Sequence, residues 1–340
     1  MQRSILAYCV SLLMLSGCGN DNTTGSTPHN AGAAGKSSSS KKGASDGGVN
    51  RLLIDAEIPA AADEGLVSDY LADAGDGWKS LIQAHWILPA NSEQYRCARL
   101  TATEDVAVHS FRTVSPLGTH HTVLTMTREP TEPDGLTVCN VSTNARSMLS
   151  GSGVGTNDYT LDDGVAVVLH KGDQLLINLH LFNTSDHEIE GTSGTVVKTM
   201  AADQIVHEAQ SILAGPVSLN IPAHSKGVVQ SGNCTMTQDQ TLIGLVAHAH
   251  MHATHFKVTA HSSIAGDVVI HDDDYSFDAQ FVYPIDAVQM KQGDKVEIAC
   301  TYDNDSDKVI NFGDSSLAEM CFAGLMRYPP DPNTNFLCTR

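Results

Sequence analysis

The sequence predicts an all-β protein, on three observations. From Lys79 onward the chain is a succession of short apolar runs, among them "SLIQAHWILPAN", "DGVAVVLHKGDQLLINLHLFN", "HFKVTAHSS", "DKVEIACTYDN" and "KVINFGDSS", broken by Gly, Pro, Asn or Asp. Within the runs, apolar and polar residues alternate with the two-residue period of a strand. Helical periodicity is sustained over no useful length, and regularly spaced short strands with turn signals indicate a sandwich or a barrel.

The elements follow in chain order. "MQRSILAYCVSLLMLSGCGN" has one Arg, an apolar run from Ile5 to Leu15 and small residues ending at Cys18, the layout of a cleaved secretory signal. The run is too short to span a membrane as a helix. Its ending, Leu15, Ser16, Gly17, Cys18, resembles a bacterial lipobox, in which the cysteine is lipidated and becomes the first residue of the mature chain. Several acyl chains anchor stably where one is marginal, so residues 1–18 are read as a lipoprotein signal and Cys18 as the lipidation site. Gly19 and Asn20 follow it rather than Asp, which by resemblance to bacterial sorting favours the outer membrane, on its periplasmic or cell-surface face. Residues 19–50, including "GKSSSSKKGASDGG", hold almost nothing apolar and cannot offset their chain entropy by burial, so they form a flexible tether.

About 290 residues remain, enough for two ordinary domains. A net charge of −19 argues against nucleic acid or an anionic surface as partner. Next comes "DAEIPAAADEGLVSDYLADAGDGW", with Leu66, Val67, Tyr70 and Leu71 at helical spacing, which fits a short helix or a docked linker. The best junction between domains lies near Met200 to Asp203, dividing residues 51–200 from 201–340. Asp303, Asp305 and Asp307 have a faint calcium-loop spacing, but the Gly and closing Glu of that motif are missing, so a solvated hairpin tip is the better reading. Beyond Cys9 and Cys18 there are six cysteines, Cys97, Cys139, Cys234, Cys300, Cys321 and Cys338. An even number in an exported chain reads as three disulfides, and no CxxC spacing marks a thiolate metal site.

Histidine carries the chemistry. In "TLIGLVAHAHMHA", Ile243, Leu245, Ala247, Ala249 and Met251 form one apolar face, which puts His248, His250 and His252 on the other. Imidazoles at i and i+2 of one strand converge, a metal-chelating arrangement. In "DQLLINLHLFN" the apolar face is Leu175, Ile177, Leu179 and Leu181, leaving His180 opposite. His120 and His121 open the strand "GTHHTVLTM"; as neighbours they point apart on a regular strand, so joint ligation needs a bulge or different ring nitrogens. In "DSSLAEMCFAGLM" the thioether of Met320 stands directly before Cys321. Imidazole with thioether is a soft set suited to copper, particularly the reduced ion.

The order HH, lone His on a strand, HxH, then Met-Cys resembles the copper type II, ascorbate-dependent monooxygenases, the family of peptidylglycine α-hydroxylating and dopamine β-monooxygenases. The resemblance runs from about "QYRCARL" to the C-terminus. It implies two jelly-roll-like antiparallel β-sandwiches packed side by side across a solvent-filled cleft, with one copper on each side. The copper that receives electrons would be held by His120, His121 and His180, and the oxygen-binding copper by His248, His250 and Met320. The implied disulfides are Cys234 to Cys338 and Cys300 to Cys321, leaving Cys97 to Cys139. The implied reaction uses O2 and an external one-electron reductant, ascorbate in the animal family, to hydroxylate a C–H bond of a small-molecule substrate.

The sequence also departs from the family. Thr122, Thr125 and Met126 stand where the first signature continues with Met, Phe and Cys, and Ala249 and Ala253 stand in the second. The peptide enzyme grips its substrate carboxylate with an Arg, an Asn and a Tyr at the positions held here by Val246, Phe322 and Gly324. Loss of that cation and those donors removes the clamp, so a carboxylate-anchored substrate is not expected. His252 has no counterpart among the ligands. The rival reading is a non-catalytic lipoprotein that sequesters or delivers copper on the same scaffold.

Overall fold

Alternation in the sequence becomes strand in the fold. In Gln174–Asn183, Leu175, Ile177, Leu179 and Leu181 are fully buried, and so is His180 on the opposite face, because this strand is central in its sheet. Gln240–Ala249 likewise buries Ile243, Leu245, Ala247 and Ala249. The strand ends at Ala249, so Met251, expected on the same core face, falls in the turn beyond and is 47% exposed. These strands belong to a computed structural model that describes residues 53–54 and 60–340, apart from 154, 314, 316, 333–335 and 340. The expected signal with Cys18, and the expected tether, lie outside the described residues.

The protein is an all-β sandwich. Its largest sheet has eleven strands. The main path runs from the short Leu53–Ile54 edge through Ser92–Thr101, Gln174–Asn183, Thr119–Thr127 and Ser147–Ser152. It continues through Gln210–Ala214, Cys321–Tyr328, Gln240–Ala249 and Val282–Met290. From Ser92–Thr101 onward every pairing on the path is antiparallel.

A seven-stranded sheet built on Lys79–Leu88, Ile189–Met200, Val106–Val114 and Val165–Leu169 covers the first part of that path. Between the layers Leu81, Trp86 and Val197 pack with Ala98, Leu124 and Ile177. A four-stranded sheet of Ser225–Thr235, Lys295–Asn304, Ala253–Ser262 and Gly266–Asp274 covers the second part. There Phe256, Ile298 and Tyr302 pack with Leu245, Ala247 and Leu325. The large sheet passes between the two cores where Ser211 stands opposite Met148, and the first core also takes in Ile243, Val282 and Met326.

Residues 60–78 are a docked linker and not a helix. Gly65–Leu66 pairs with Lys79–Leu88, Tyr70 is buried, and the buried Glu64 carboxylate meets Arg96 at 3.2 Å. The acidic tip is engaged by neighbouring side chains, Asp305 by Lys226 at 2.8 Å and Asp307 by His224 at 2.9 Å. Three disulfides join Cys97 to Cys139, Cys234 to Cys338 and Cys300 to Cys321, the pairs that the resemblance implies. Among the described residues no helix is long and apolar enough to cross a membrane.

Candidate metal centre

His120, His121 and His180 are buried and offer ring nitrogens that all lie within 4.8 Å of one another. A bulge makes the grouping. In the ladder between Gln174–Asn183 and Thr119–Thr127, His180 stands opposite His121 while Leu181 stands opposite Thr119, so His120 is the extra residue. Successive residues of a regular strand face opposite ways. The extra residue breaks that rule and brings both rings to His180. Nδ1 of His180 lies 2.9 Å from Nδ1 of His120 and 3.2 Å from Nδ1 of His121.

The His180 ring is fixed from behind. Its Nε2–H donates to Glu93 Oε1 at 2.8 Å, and the ring stacks on Tyr95 with centroids 4.3 Å apart and planes 6° apart. With the proton on Nε2, Nδ1 turns a lone pair to the centre. Metal–imidazole bonds of about 2.0–2.1 Å set nitrogens on one ion roughly 3–3.5 Å apart. The two spacings to His180, 2.9 and 3.2 Å, lie close to that range.

His248 and His250 form the second set, their ring centroids 5.4 Å apart and their planes at 85°. His248 Nδ1–H donates to Gln280 Oε1 at 2.7 Å, and His250 Nδ1–H donates to the Ala318 carbonyl at 3.0 Å. Both rings therefore carry their lone pair on Nε2. That of His250 is buried with no hydrogen-bond partner. A buried acceptor left unmatched costs roughly 1–3 kcal/mol, which a cation bound there would remove. Gln280 is itself held, its Nε2–H donating to the Phe277 carbonyl at 3.1 Å.

A carboxylate ties Met320 to these histidines. Glu319 Oε2 accepts the backbone N–H of His250 at 2.9 Å and of Met320 at 3.3 Å, while Oε1 accepts that of His252 at 2.7 Å. Burial pushes the Glu319 carboxyl up to about 7, against the opposing pull of the three donors. The Tyr302 hydroxyl donates to the Met320 carbonyl at 2.7 Å, and Cys321 is bridged to Cys300. Between the two histidines, the Tyr275 hydroxyl accepts from the N–H of Ala249 and donates to its carbonyl.

The two sets touch. His121 and His248 have centroids 5.3 Å apart, and His120 and His250 5.7 Å. That is closer than the resemblance implies for metals on opposite sides of a solvent-filled cleft. Loss of water, then the neighbouring imidazoles, lowers the pKa of His120 and His121 far below the usual histidine range and that of His250 to about 3. Burial also lowers that of His248, against the Gln280 hydrogen bond. These four rings are therefore neutral near pH 7, the state in which imidazole binds metals.

A cavity of about 370 Å³ opens onto the cluster, walled by His121, His248 and Met320 together with residues of both halves. Val246, Phe322 and Gly324 all line it. They are neighbours in the sheet, where Val246 stands opposite Gly324 and His248 opposite Phe322. The cavity and the six side chains named from the sequence thus form one locality. Sequence reasoning missed Glu93, Gln280 and Glu319. Glu319 alone carried a local signal, as the residue before Met320.

Residues 208–340 match the family model described as copper type II ascorbate-dependent monooxygenase, C-terminal domain. The match includes His248, His250 and Met320 and begins after His180. Among solved structures, the vicilin from Solanum melongena aligns over 81% of this chain and 85% of that chain, at 8% identity and a TM-score of 0.16. A likeness that slight carries no argument.

Proposed function

We propose, from the match of residues 208–340 to the copper type II ascorbate-dependent monooxygenase C-terminal domain, that the chain is a monooxygenase with two coppers. The reaction is R–H + O2 + 2 e⁻ + 2 H⁺ giving R–OH + H2O, with the electrons supplied one at a time by an external reductant such as ascorbate. What carries the reading is the set of nitrogens whose hydrogen bonds leave a lone pair facing the centre. His180 donates outward to Glu93, His248 to Gln280 and His250 to Ala318.

One copper would be held by His120, His121 and His180, the other by His248, His250 and Met320. Copper supplies the one-electron chemistry that triplet oxygen requires, and a thioether favours its reduced ion. The chain's own residues do the rest. Glu93, Gln280 and Ala318 hold the ring tautomers, Glu319 and Tyr302 hold the Met320 backbone, and a substrate in the cavity would lie beside His248 and Met320. Among the described residues that line the cavity there is no Lys or Arg to clamp a substrate carboxylate.

The test is copper-loaded protein with ascorbate and labelled O2. About two coppers per chain and label in an alcohol product are expected, with the label absent in His248→Ala. Stable copper without label in any product across a broad panel leaves a copper carrier and overturns the enzyme. Export and anchoring at the bacterial outer membrane belong to the same proposal and rest on the ending "LSGC". Cys18→Ala is expected to shift the protein from the detergent phase to the aqueous phase.

A further inference from the structure

The cavity beside Met320 holds a second kind of information, the chemistry of what it accepts. Among the described residues that line it there is no Asp, Glu, Lys or Arg. The wall includes Phe111, Met148, Leu245, Val246, Phe322 and Met326. Toward solvent the lining includes Val217, 48% exposed, with the half-buried Phe336 and Leu337. Part of the approach is therefore apolar, beside the exposed Ser142 and Asn157.

Several of the polar lining groups are turned to the protein. The hydroxyls of Thr122 and Ser152 bond each other at 2.7 Å, and that of Thr156 donates to the Gln280 carbonyl at 2.8 Å. Asn157 spends both ends of its carboxamide on Val282, accepting from the N–H at 2.7 Å and donating to the carbonyl at 3.2 Å. What remains for an occupant is mostly carbon and sulfur.

Glycine keeps the space open. A Cβ at Gly151 would meet Met148, one at Gly244 would run into the Tyr159 hydroxyl, and one at Gly324 would press on Val246. At about 30 Å³ for each water in the liquid, the cavity volume corresponds to roughly a dozen water-sized groups.

We infer that the substrate is an uncharged, largely apolar molecule of about a dozen non-hydrogen atoms, bound here by apolar contact and not by an ion pair. The inference rests on the monooxygenase reading for what becomes of the molecule, and not for its binding. An ionised group in this cavity loses its water and meets no counter-charge. An apolar group gains by leaving water. The product carries a new hydroxyl that the wall is poorly equipped to satisfy, which favours its release.

A matched series tests it: 3-phenylpropan-1-ol, 3-phenylpropanoate and 3-phenylpropylammonium share one skeleton and differ in terminal charge. Calorimetric titration of the metal-free mature chain is expected to show the alcohol binding at least tenfold more tightly than either ion. In Val246→Arg, which adds a cation to the wall, the carboxylate is expected to overtake the alcohol. Ions that bind the unaltered protein as tightly as the alcohol overturn the inference, as does the absence of binding by all three. A second arm gives copper-loaded protein ascorbate and ¹⁸O2 with each compound. Preferential binding of the alcohol without label in any product upholds the cavity chemistry and removes the enzyme. Label entering the ions as readily as the alcohol removes the inference and leaves the enzyme.

Discussion

Gln280 reaches His248 only because residue 153 is glycine, since a Cβ there would overlap the Gln280 carboxamide. The tautomer of a neutral imidazole depends on such partners, because the nitrogen that donates fixes which nitrogen keeps its lone pair. Gly153→Ala is expected to push Gln280 away and release His248. Loss of such an outer partner typically weakens metal binding about 10–100-fold. Competition against a chelator should show that loss for one copper, with the ion at His120, His121 and His180 retained. Glu319 is more exposed to damage, since one carboxylate serves three backbone donors. In Glu319→Gln the carboxamide NH2 must face an N–H that the carboxylate accepted. An unsatisfied buried donor costs about 1–3 kcal/mol, so the urea midpoint should fall along with copper affinity at the Met320 site.

Strand geometry explains how much of this was legible. The faces of Gln174–Asn183 could be read because alternation is local, and the same reading showed that joint ligation by His120 and His121 needed a bulge or different ring nitrogens. The bulge is there, and it brings three Nδ1 atoms together. Where Gln240–Ala249 stops could not be read, because its end is set by Tyr275 and Glu319, so Met251 was placed on the wrong side. The ring partners were hidden for the same reason. Glu93 lies 87 residues from His180, Gln280 lies 32 from His248, and Glu319 lies 69 from the backbone it holds at His250. Disulfide Cys300–Cys321 closes a short span, 21 residues in separation, and fixes the start of the Cys321–Tyr328 strand beside Met320. Replacing both cysteines by serine should cost about 3 kcal/mol through the regained freedom of that loop. Denaturation without reductant measures the loss, and weaker copper binding at the Met320 site should accompany it.

At the scale of the whole molecule the two cores are not independent bodies. One sheet passes through both, and the rings of His121 and His248, one from each part, stand 5.3 Å apart. A metal that binds only the folded arrangement therefore stabilises the contact between the parts as well as the part that supplies its ligands. Ligand at a hundred times its dissociation constant adds about 2.7 kcal/mol. For a single unit of about 280 residues that corresponds to roughly 5 °C in Tm. Copper loading should raise the unfolding temperature of the entire described unit in one transition, and chelation should reverse the rise. The decisive comparison is His180→Ala against His248→Ala, each loaded with the copper it still binds. If the centre couples the halves, each variant keeps a single transition with a smaller rise. Two transitions, of which copper moves only the one belonging to the intact ligand set, would show that the histidines meet without joining the two cores energetically.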